Sequence, residues 1–321
     1  MNDIETFAPV VIPTLNRYKH FKRCINSLRR CALAEETEVI VSIDFPPSEK
    51  YKKGYLQICD YLDNFQGFRK LTVIKQVKNL GVVGNYQFLK SYVSRLYDKY
   101  ILTEDDNEFS PMFLEFMNSA LTLFKDDPSI MSICGYTSVP YYNSSKEKII
   151  LTYDTSAWGY GTWVNKQENY FKSGMAYYHN IALSFSNSLK ILRRYPALLS
   201  MLLDMLKKGA FYGDTMFSTY NIINNTYQLR PSISMVRNWG QDGTGAHSGI
   251  DDNFSKQIIQ NAECFDLNTI SIVSVYEEIN TINRCSFWMG LPKNKIRACY
   301  SILGIIHKWF KYFFNHPNYN V

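Results

Sequence analysis

The segment YILTEDDNEFSPMFLEFM (residues 100–117) decides the fold class of this chain. It begins with a short apolar run, continues with three acidic residues, and then has Ser110 and Pro111 ahead of an apolar segment with helical periodicity. Ser followed by Pro is typical of a helix start, because Ser caps free amides and Pro needs no hydrogen-bond acceptor there. The segment therefore predicts a strand, an acidic loop at the carboxyl end of that strand, and a helix.

The segments before it repeat this alternation. Short apolar runs at residues 9–12, 38–43 and 71–75 alternate with amphipathic stretches at residues 18–31 and 85–97. Such alternation is typical of βαβ units and predicts an α/β fold with a mostly parallel, Rossmann-like sheet flanked by helices. After residue 130 the pattern is less regular, with a strand predicted at 131–134 and helices at 187–208 and 214–224. Ligands of open α/β sheets bind outside the carboxyl ends of strands, so the acids lie where a site is expected.

The composition excludes some classes of protein. A chain of 321 residues with 46% hydrophobic positions can bury a large core. The net charge of +6 is modest, and its basic residues form no nucleic-acid stripe except near the C-terminus, so we expect no nucleic-acid partner. The seven cysteines are scattered without a Cys-x-x-Cys pair, which argues against a disulfide framework or a zinc site. The sequence shows no secretory signal and no long apolar span, which predicts a cytoplasmic protein.

Glu104, Asp105 and Asp106 form the most informative cluster. Adjacent carboxylates repel each other in a partly desolvated cleft unless a cation or water compensates them. A Mn²⁺ or Mg²⁺ ion bound by carboxylates and substrate phosphates would do so, and it would neutralise a diphosphate leaving group. The alternative interpretation is an exposed acidic turn that caps the next helix.

Four segments together resemble the nucleotide-sugar half of GT-A glycosyltransferases: residues 10–28 (VVIPTLNRYKHFKRCINSL), 39–46 (VIVSIDFP), 79–87 (NLGVVGNYQ) and 100–117. The resemblance covers residues 8–136 and is to bacterial surface-polysaccharide enzymes (family 2-like) and to the N-acetylglucosaminyltransferases of N-glycan branching. It implies a GT-A fold and a metal-dependent, inverting transfer from a nucleotide-sugar, with UDP as the nucleotide. The implied acceptor is a glycan or a lipid-linked oligosaccharide in capsule, O-antigen or exopolysaccharide synthesis.

The resemblance also implies roles for residues in the loops after the strands. Asp44 would read the uracil edge, Glu104 would face the ribose with Asp105 beside it, and Asp106 would bind the metal. This chain has Glu-Asp-Asp-Asn instead of a strict Asp-x-Asp, so the acid that contacts the metal stays open. For Asp44 a turn-capping role is the alternative. The other residues assigned to the donor are Pro13, Thr14, Asn16, Arg17, Asn79, Gly81 and Asn85.

Two segments of the second half extend the resemblance. Asp214, in GAFYGDTMFSTY, matches the element that supplies the catalytic base, although Gly213 precedes it where a Trp is expected. Helix capping is the alternative for this Asp. His247, in NWGQDGTGAHSG, would close over the diphosphate or the metal, and a plain surface position is its alternative.

The segment TSAWGYGTWVNK also resembles the acceptor-side loop of these enzymes. It would place Trp158, Gly159 and Trp163 beside the acceptor, with tryptophan stacking on sugar faces. Buried packing is the alternative for both tryptophans.

We therefore divide the chain into a nucleotide-sugar-binding half (1–136), an acceptor-binding and catalytic half (137–290), and a basic amphipathic C-terminal segment (291–321). That segment can lie on the inner face of the cell membrane as a peripheral contact, or pack against the domain. Two other functions stay open. A nucleotidyltransferase would need a glycine-rich loop after the first strand, which IPTLNRYK lacks, and a non-catalytic carbohydrate-binding module would not need the acidic pair.

Overall fold

The computed structural model describes residues 7–137, 149–171, 174–245, 249–260, 272–273 and 292–316. The strands in this part of the chain are β1 (Val10–Thr14), β2 (Glu38–Ile43), β3 (Lys70–Lys75), β4 (Lys99–Leu102), β5 (Asn107–Phe109), β6 (Ile130–Cys134), β7 (Ile149–Thr152), β8 (Tyr160–Trp163), β9 (Tyr227–Pro231), β10 (Val236–Asn238) and β11 (Ile272–Val273). The helices are α1 (Tyr18–Arg29), α2 (Glu49–Asp63), α3 (Gly81–Val93), α4 (Phe113–Leu123), α5 (Val164–Phe171), α6 (Gly174–Leu183), α7 (Phe185–Arg194), α8 (Pro196–Lys208), α9 (Gly213–Asn224), α10 (Asp252–Ser255) and α11 (Pro292–Asn315).

Nine of these strands form one sheet in the order β11-β7-β9-β6-β8-β4-β1-β2-β3. The β3-β2-β1-β4 part is parallel throughout and has the strand order of a nucleotide-binding βαβ half. Strand β8 is antiparallel to both neighbours, β4 and β6, so β6 again runs in the direction of β4. The predicted α/β fold with a mostly parallel sheet is confirmed, and strands from both predicted halves share that sheet.

Apolar residues cover both faces of the sheet. Val10 and Ile12 of β1 pack with α1, α2 and α4 on one face, while Val11 packs with α3, α8 and α9 on the other. Successive side chains of a strand point to opposite faces, so a strand covered on both sides must be apolar throughout. This explains why the sequence shows continuous apolar runs at β1, β2 and β4.

Two helix predictions differ from the structure in their boundaries. The helix expected to start at Ser110-Pro111 begins at Phe113, because residues 107–109 first form β5 and pair with β10. The single helix expected over residues 187–208 is two helices that meet at Tyr195. Pro196 lacks an amide hydrogen and disfavours helical geometry at the preceding residue, so α7 ends there and α8 begins.

Helix α11 packs on the second half of the domain. Ile305, Trp309 and Tyr312 are buried, and the Trp309 Nε1 donates a hydrogen bond to the Ala182 carbonyl at 2.6 Å. The Lys308 Nζ lies 2.6 Å from the Asp204 carboxylate of α8. Within the described ranges, no helix has the length and apolar character needed to span a bilayer.

Candidate active site

The carboxyl ends of β1, β2 and β4 lie at one edge of the sheet, and polar residues follow each of them. Thr14 ends β1, Asp44 follows β2, and Glu104, Asp105 and Asp106 follow β4. The Thr14 hydroxyl donates a hydrogen bond to the Asp105 carboxylate at 2.7 Å. Asp105 and Asp106 are both almost fully buried, so their charges need compensation.

Arg17 supplies that compensation. It precedes α1, and its guanidinium reaches the Asp106 carboxylate at 2.7 Å and also bonds the Asp105 carboxylate. Burial acts to lower the pKa of Arg17, but the charges of Asp105 and Asp106 outweigh it and raise that pKa. The sequence predicted a metal as the cation between these acids, whereas in this structure the guanidinium lies between them.

The short strand β10 completes the surroundings of Asp106. The Asn238 side-chain amide donates to the Asp106 Oδ1 at 2.7 Å, and the Trp239 amide donates to the Asp106 carbonyl at 2.9 Å. A Cβ on Gly240 would lie 2.0 Å from the Asp106 Oδ2, so this backbone contacts the carboxylate directly. Sequence analysis missed Asn238 and Gly240, although the glycine-rich run NWGQDG was a signal for such a close approach.

Glu104 and Asp214 differ from these acids because their carboxylates make no hydrogen bond or ion pair within the described part of the chain. Glu104 is half-buried, and its pKa is raised by burial and by the charges of Asp106, Asp214 and Asp105. Asp214 is accessible to water, yet crowding by surrounding protein raises its pKa to about 6, with Asp154 adding to the shift and Arg230 opposing it. The two carboxylates are close enough for the charge of Asp214 to act on Glu104.

Asp44 is engaged by the chain itself. Its carboxylate accepts hydrogen bonds from the amides of Phe45, Leu80 and Gly81 at 2.8–2.9 Å and from the Asn79 side chain at 3.1 Å. Each oxygen of the Asp44 carboxylate accepts two of these four bonds, which hold the loop before α3 against the end of β2. The turn-capping alternative for Asp44 is thus present in the structure, and Asn79 and Gly81 serve it.

The remaining donor-side residues have different positions. Asn85 is buried on α3, where its side-chain amide donates to the Ser42 carbonyl at 3.1 Å and joins α3 to β2. Pro13 lies within β1, and Asn16 lies in the loop that follows, both half-buried at the edge that carries the acids.

The predicted acceptor-side residues differ in their exposure to solvent. Trp163 is buried, and its Nε1 donates to the Leu121 carbonyl at 3.0 Å, so its ring packs in the core and is not available to a sugar. Trp158 is half-buried, with its ring against Tyr136 and Phe254. Gly159 has a φ of +72°, and a Cβ there would meet the Phe113 ring at 2.8 Å.

His247 lies outside the described residues. The described part of its loop contacts α1, where the His20 Nε2 is 2.9 Å from the Asp242 carboxylate. The Arg23 guanidinium of α1 stacks on the Trp239 ring, 3.9 Å from its centroid. These contacts bring the glycine-rich loop beside the acidic cluster.

The donor atoms at the acidic cluster suit a hard divalent cation. They are carboxylate oxygens, which Mg²⁺ and Mn²⁺ prefer, and the half-buried Glu104 carboxylate lacks a compensating partner among the residues described. One guanidinium faces three neighbouring acids, so the cluster keeps a negative charge. No group of three or more His, Cys, Asp or Glu side chains in the described ranges is arranged as a complete metal site. A cation here would therefore depend on further oxygens, such as substrate phosphates.

No protein-family model and no curated protein matches the sequence. Among solved structures, the chain is similar to S. aureus TarS (18% identity, TM-score 0.35, 51% of this chain and 49% of that one). It is also similar to mouse xyloside xylosyltransferase 1, with 9% identity and a TM-score of 0.39 over 69% of this chain and 83% of that one. A third similar structure is the mannosyltransferase PcManGT from Pyrobaculum calidifontis, solved with GDP-Man and Mn²⁺, with 11% identity and a TM-score of 0.41 over 94% of this chain and 76% of that one. The matched region spans about half of that TarS chain. Two of these names denote glycosyltransferases, the class that the sequence resembles.

Proposed function

We propose that this protein is a metal-dependent, inverting glycosyltransferase that moves a sugar from a nucleotide-sugar to an acceptor hydroxyl. The observation that carries the proposal is the arrangement of Asp214, an unpaired carboxylate with a pKa raised to about 6, beside the acidic cluster that Arg17 holds. A base of this pKa is ionised at neutral pH and still accepts a proton readily. Strand ends of an open α/β sheet are where nucleotide ligands bind.

The donor would lie over the carboxyl ends of β1, β2 and β4. Arg17 can exchange its carboxylate partners for the diphosphate of the donor, because a guanidinium binds phosphate as well as carboxylate oxygens. The loop that Asp44 holds would support the nucleoside, and Glu104 would face the ribose. A cation held by the acidic cluster, with Asp106 as a ligand, would supply neutralisation of the diphosphate charge.

Asp214 would take the proton of the acceptor hydroxyl. The acceptor oxygen then forms a bond to the anomeric carbon, and the bond from that carbon to the phosphate oxygen breaks, so that the diphosphate leaves with the electron pair. Arg17 stabilises the charge that develops on the leaving group. One displacement of this kind inverts the configuration at the anomeric carbon.

UDP as the nucleotide, a glycan or lipid-linked oligosaccharide as the acceptor, and a role in bacterial capsule, O-antigen or exopolysaccharide synthesis rest on the sequence resemblance. In this proposal Trp158 and Gly159 belong to the acceptor side, and of the two predicted tryptophans only Trp158 keeps an accessible surface. His247 would close over the diphosphate or the metal.

We also propose that the solvent-exposed side of α11 binds anionic lipids on the inner face of the cell membrane. Leu303, Phe310 and Phe314 are exposed on this side of the helix, with His307 and Lys311 among them. Residues 292–321 contain five Lys and Arg and no acidic residue, so most of the net charge of +6 belongs to this segment. Exposed aromatics combined with basic residues favour an interfacial contact.

The function is tested by incubating the purified protein with a panel of nucleotide-sugars, with Mn²⁺ or with a chelator, and measuring nucleoside diphosphate release and sugar transfer. We expect release that depends on the cation and is lost in Asp106→Ala. A binding module would release no diphosphate, and a nucleotidyltransferase would form diphosphate from a nucleoside triphosphate and a sugar phosphate. Either result would contradict the proposal.

A further inference from the structure

Arg230 is a fully buried cation on β9 that the reaction described above does not use. It is 1% exposed, and a buried charge of this kind is costly unless it is paired and hydrogen-bonded. Its Nη2 lies 3.1 Å from the Asp154 Oδ2 and donates to the Asp154 carbonyl at 2.8 Å. Its Nε donates to the Gln228 side-chain oxygen at 3.0 Å.

These bonds hold the turn at residues 152–156, which connects β7 to the segment before β8. The Ser156 amide donates to the same Gln228 oxygen at 3.1 Å, and the Thr152 hydroxyl donates to the Asp154 carbonyl at 2.8 Å. The side chains of Arg230 and Gln228 thus hold the middle of the turn at Asp154 and its end at Ser156.

The turn at residues 152–156 also contacts α9, the helix that carries the proposed base Asp214. The Thr155 hydroxyl donates to the Asp214 carbonyl at 3.1 Å, and the Thr155 amide donates to the Ser218 hydroxyl at 3.0 Å. Asp214 lies in the first turn of α9, so Thr155 holds the backbone from which the carboxylate projects.

We propose that the ion pair between the buried Arg230 and the half-buried Asp154, acting through Thr155, positions Asp214 and sets the electrostatic potential at its carboxylate. The proposal rests on the proposed function, in which Asp214 is the base. Arg230 and Asp154 carry opposite charges, and both charges act on the Asp214 carboxylate.

The charges around Asp214 support this arrangement. Burial raises the pKa of Asp214 most, the Arg230 charge lowers it, and the Asp154 charge raises it. The other titratable groups that interact with Asp214 are Glu104 after β4, Tyr86 on α3, Cys134 on β6 and Tyr195 between α7 and α8. Of these only Glu104 ionises near neutral pH, and it stays unchanged in the variants below.

The test measures kcat as a function of pH for Arg230→Met and Asp154→Asn, together with donor KM and thermal unfolding. The acid limb of the profile, where kcat falls as Asp214 becomes protonated, follows the pKa of Asp214. Arg230→Met removes a positive charge and should move this limb to higher pH, whereas Asp154→Asn removes a negative charge and should move it to lower pH, each by about one unit. Both changes break the same ion pair, so a purely structural role would lower stability and kcat in both variants without opposite shifts of the profile. Arg69→Met, at the far edge of the sheet, is the matched control and should leave the profile unchanged.

Two further variants keep the test decisive if Arg230→Met does not fold. Arg230→Lys preserves the charge and should keep the limb in place, while Asp154→Asn alone should still move it to lower pH. Thr155→Val should reduce kcat without moving the limb, because it removes the hydroxyl contacts with the Asp214 carbonyl and the Ser218 hydroxyl but no charge. The inference fails if an active wild type loses activity in Asp214→Asn while the Arg230 and Asp154 variants shift together or not at all. A wild type that transfers no sugar contradicts the proposed function instead.

Discussion

In the proposed reaction, Asp214 is the residue whose ionisation has the clearest consequence for turnover. Its pKa is raised to about 6, and a general base must be deprotonated to act. We therefore expect kcat to fall as the pH drops through about 6, and to level off above it. Asp214→Asn should lower kcat by about 10²–10⁴-fold while donor affinity is kept. Rate profiles from pH 5 to 9 with a saturating donor check both, and an unchanged rate in this variant would assign the base elsewhere.

The same ionisation lowers the stability of the fold. An acid whose pKa is higher in the folded protein than its unfolded value of about 4 binds more protons when folded, so its charge opposes folding above the folded pKa. Asp214→Asn should therefore raise the melting temperature above about pH 6, and the difference from wild type should vanish below about pH 4. Melting curves across this range provide the measurement, and a variant that is less stable at pH 7 would contradict the expectation.

Gly240 allows the backbone of the glycine-rich loop to reach Asp106. A Cβ there would lie 2.0 Å from the Asp106 Oδ2, so Gly240→Ala should displace the carboxylate or the loop. A shift of about 1 Å at a reacting centre can cost about 100-fold in rate, and we expect a loss of that order in kcat. Gly249→Ala in the same loop is the control, because a Cβ there meets nothing within 4 Å. Equal activity of the two variants would show that the close approach is unimportant.

At the scale of elements, Lys166 joins α5 to the end of α4 and the start of β6. Its Nζ donates to the carbonyls of Phe124, Asp127 and Ile130 at 2.8–3.0 Å, which satisfies groups that the end of a helix leaves free. Lys166→Met should lower the free energy of unfolding by about 1–3 kcal/mol, since these carbonyls lose their donor. Urea titration measures this, with exposed Lys125→Met as the control, and an unchanged midpoint would contradict it.

The strands also show how much of the secondary structure can be predicted from sequence periodicity. The predicted strand at residues 38–43 is β2, and β1, β3, β4 and β6 differ from their predicted bounds by no more than two residues. Short strands such as β5 were missed, because three residues carry too little periodicity. The partner of β5 is β10, which lies more than 120 residues later, and no local signal specifies that pairing.

At the scale of the whole molecule, the membrane contact of α11 can be tested directly. We expect the protein to sediment with vesicles that contain anionic phosphatidylglycerol, more weakly at high salt, and not with purely zwitterionic vesicles. Phe310→Ser with Phe314→Ser should weaken this binding at least about tenfold, because each buried phenylalanine contributes about 1.5–3 kcal/mol. Leu56→Ser with Leu123→Ser, exposed on α2 and α4, is the matched control. Equal binding of both double variants would exclude α11 as the contact.

The whole fold also decides which of two sequence interpretations holds for a side chain. Trp158 and Trp163 are five residues apart in one segment, yet Trp158 is partly accessible and Trp163 lies in the core. Likewise, among the apolar side chains of α11 that the structure describes, Ile305, Trp309 and Tyr312 are buried, whereas Leu303, Phe310 and Phe314 are exposed. Periodicity identifies an amphipathic element, but the neighbours that cover it come from distant parts of the chain.

The sequence by itself determined the α/β class, the positions of most first-half elements, and the placement of Glu104, Asp105 and Asp106 at the end of a strand. Local periodicity and chain direction are enough for these, because a strand followed by a polar loop has its acids at the carboxyl edge wherever it lies in the sheet. Only the tertiary structure decided that Arg17 lies between the acids, that Asn238 and Gly240 enclose Asp106, and that Arg230 pairs with Asp154 in the turn that contacts α9. Those contacts join segments separated by tens to more than a hundred residues, and they depend on strand order and register, which are properties of the assembled sheet.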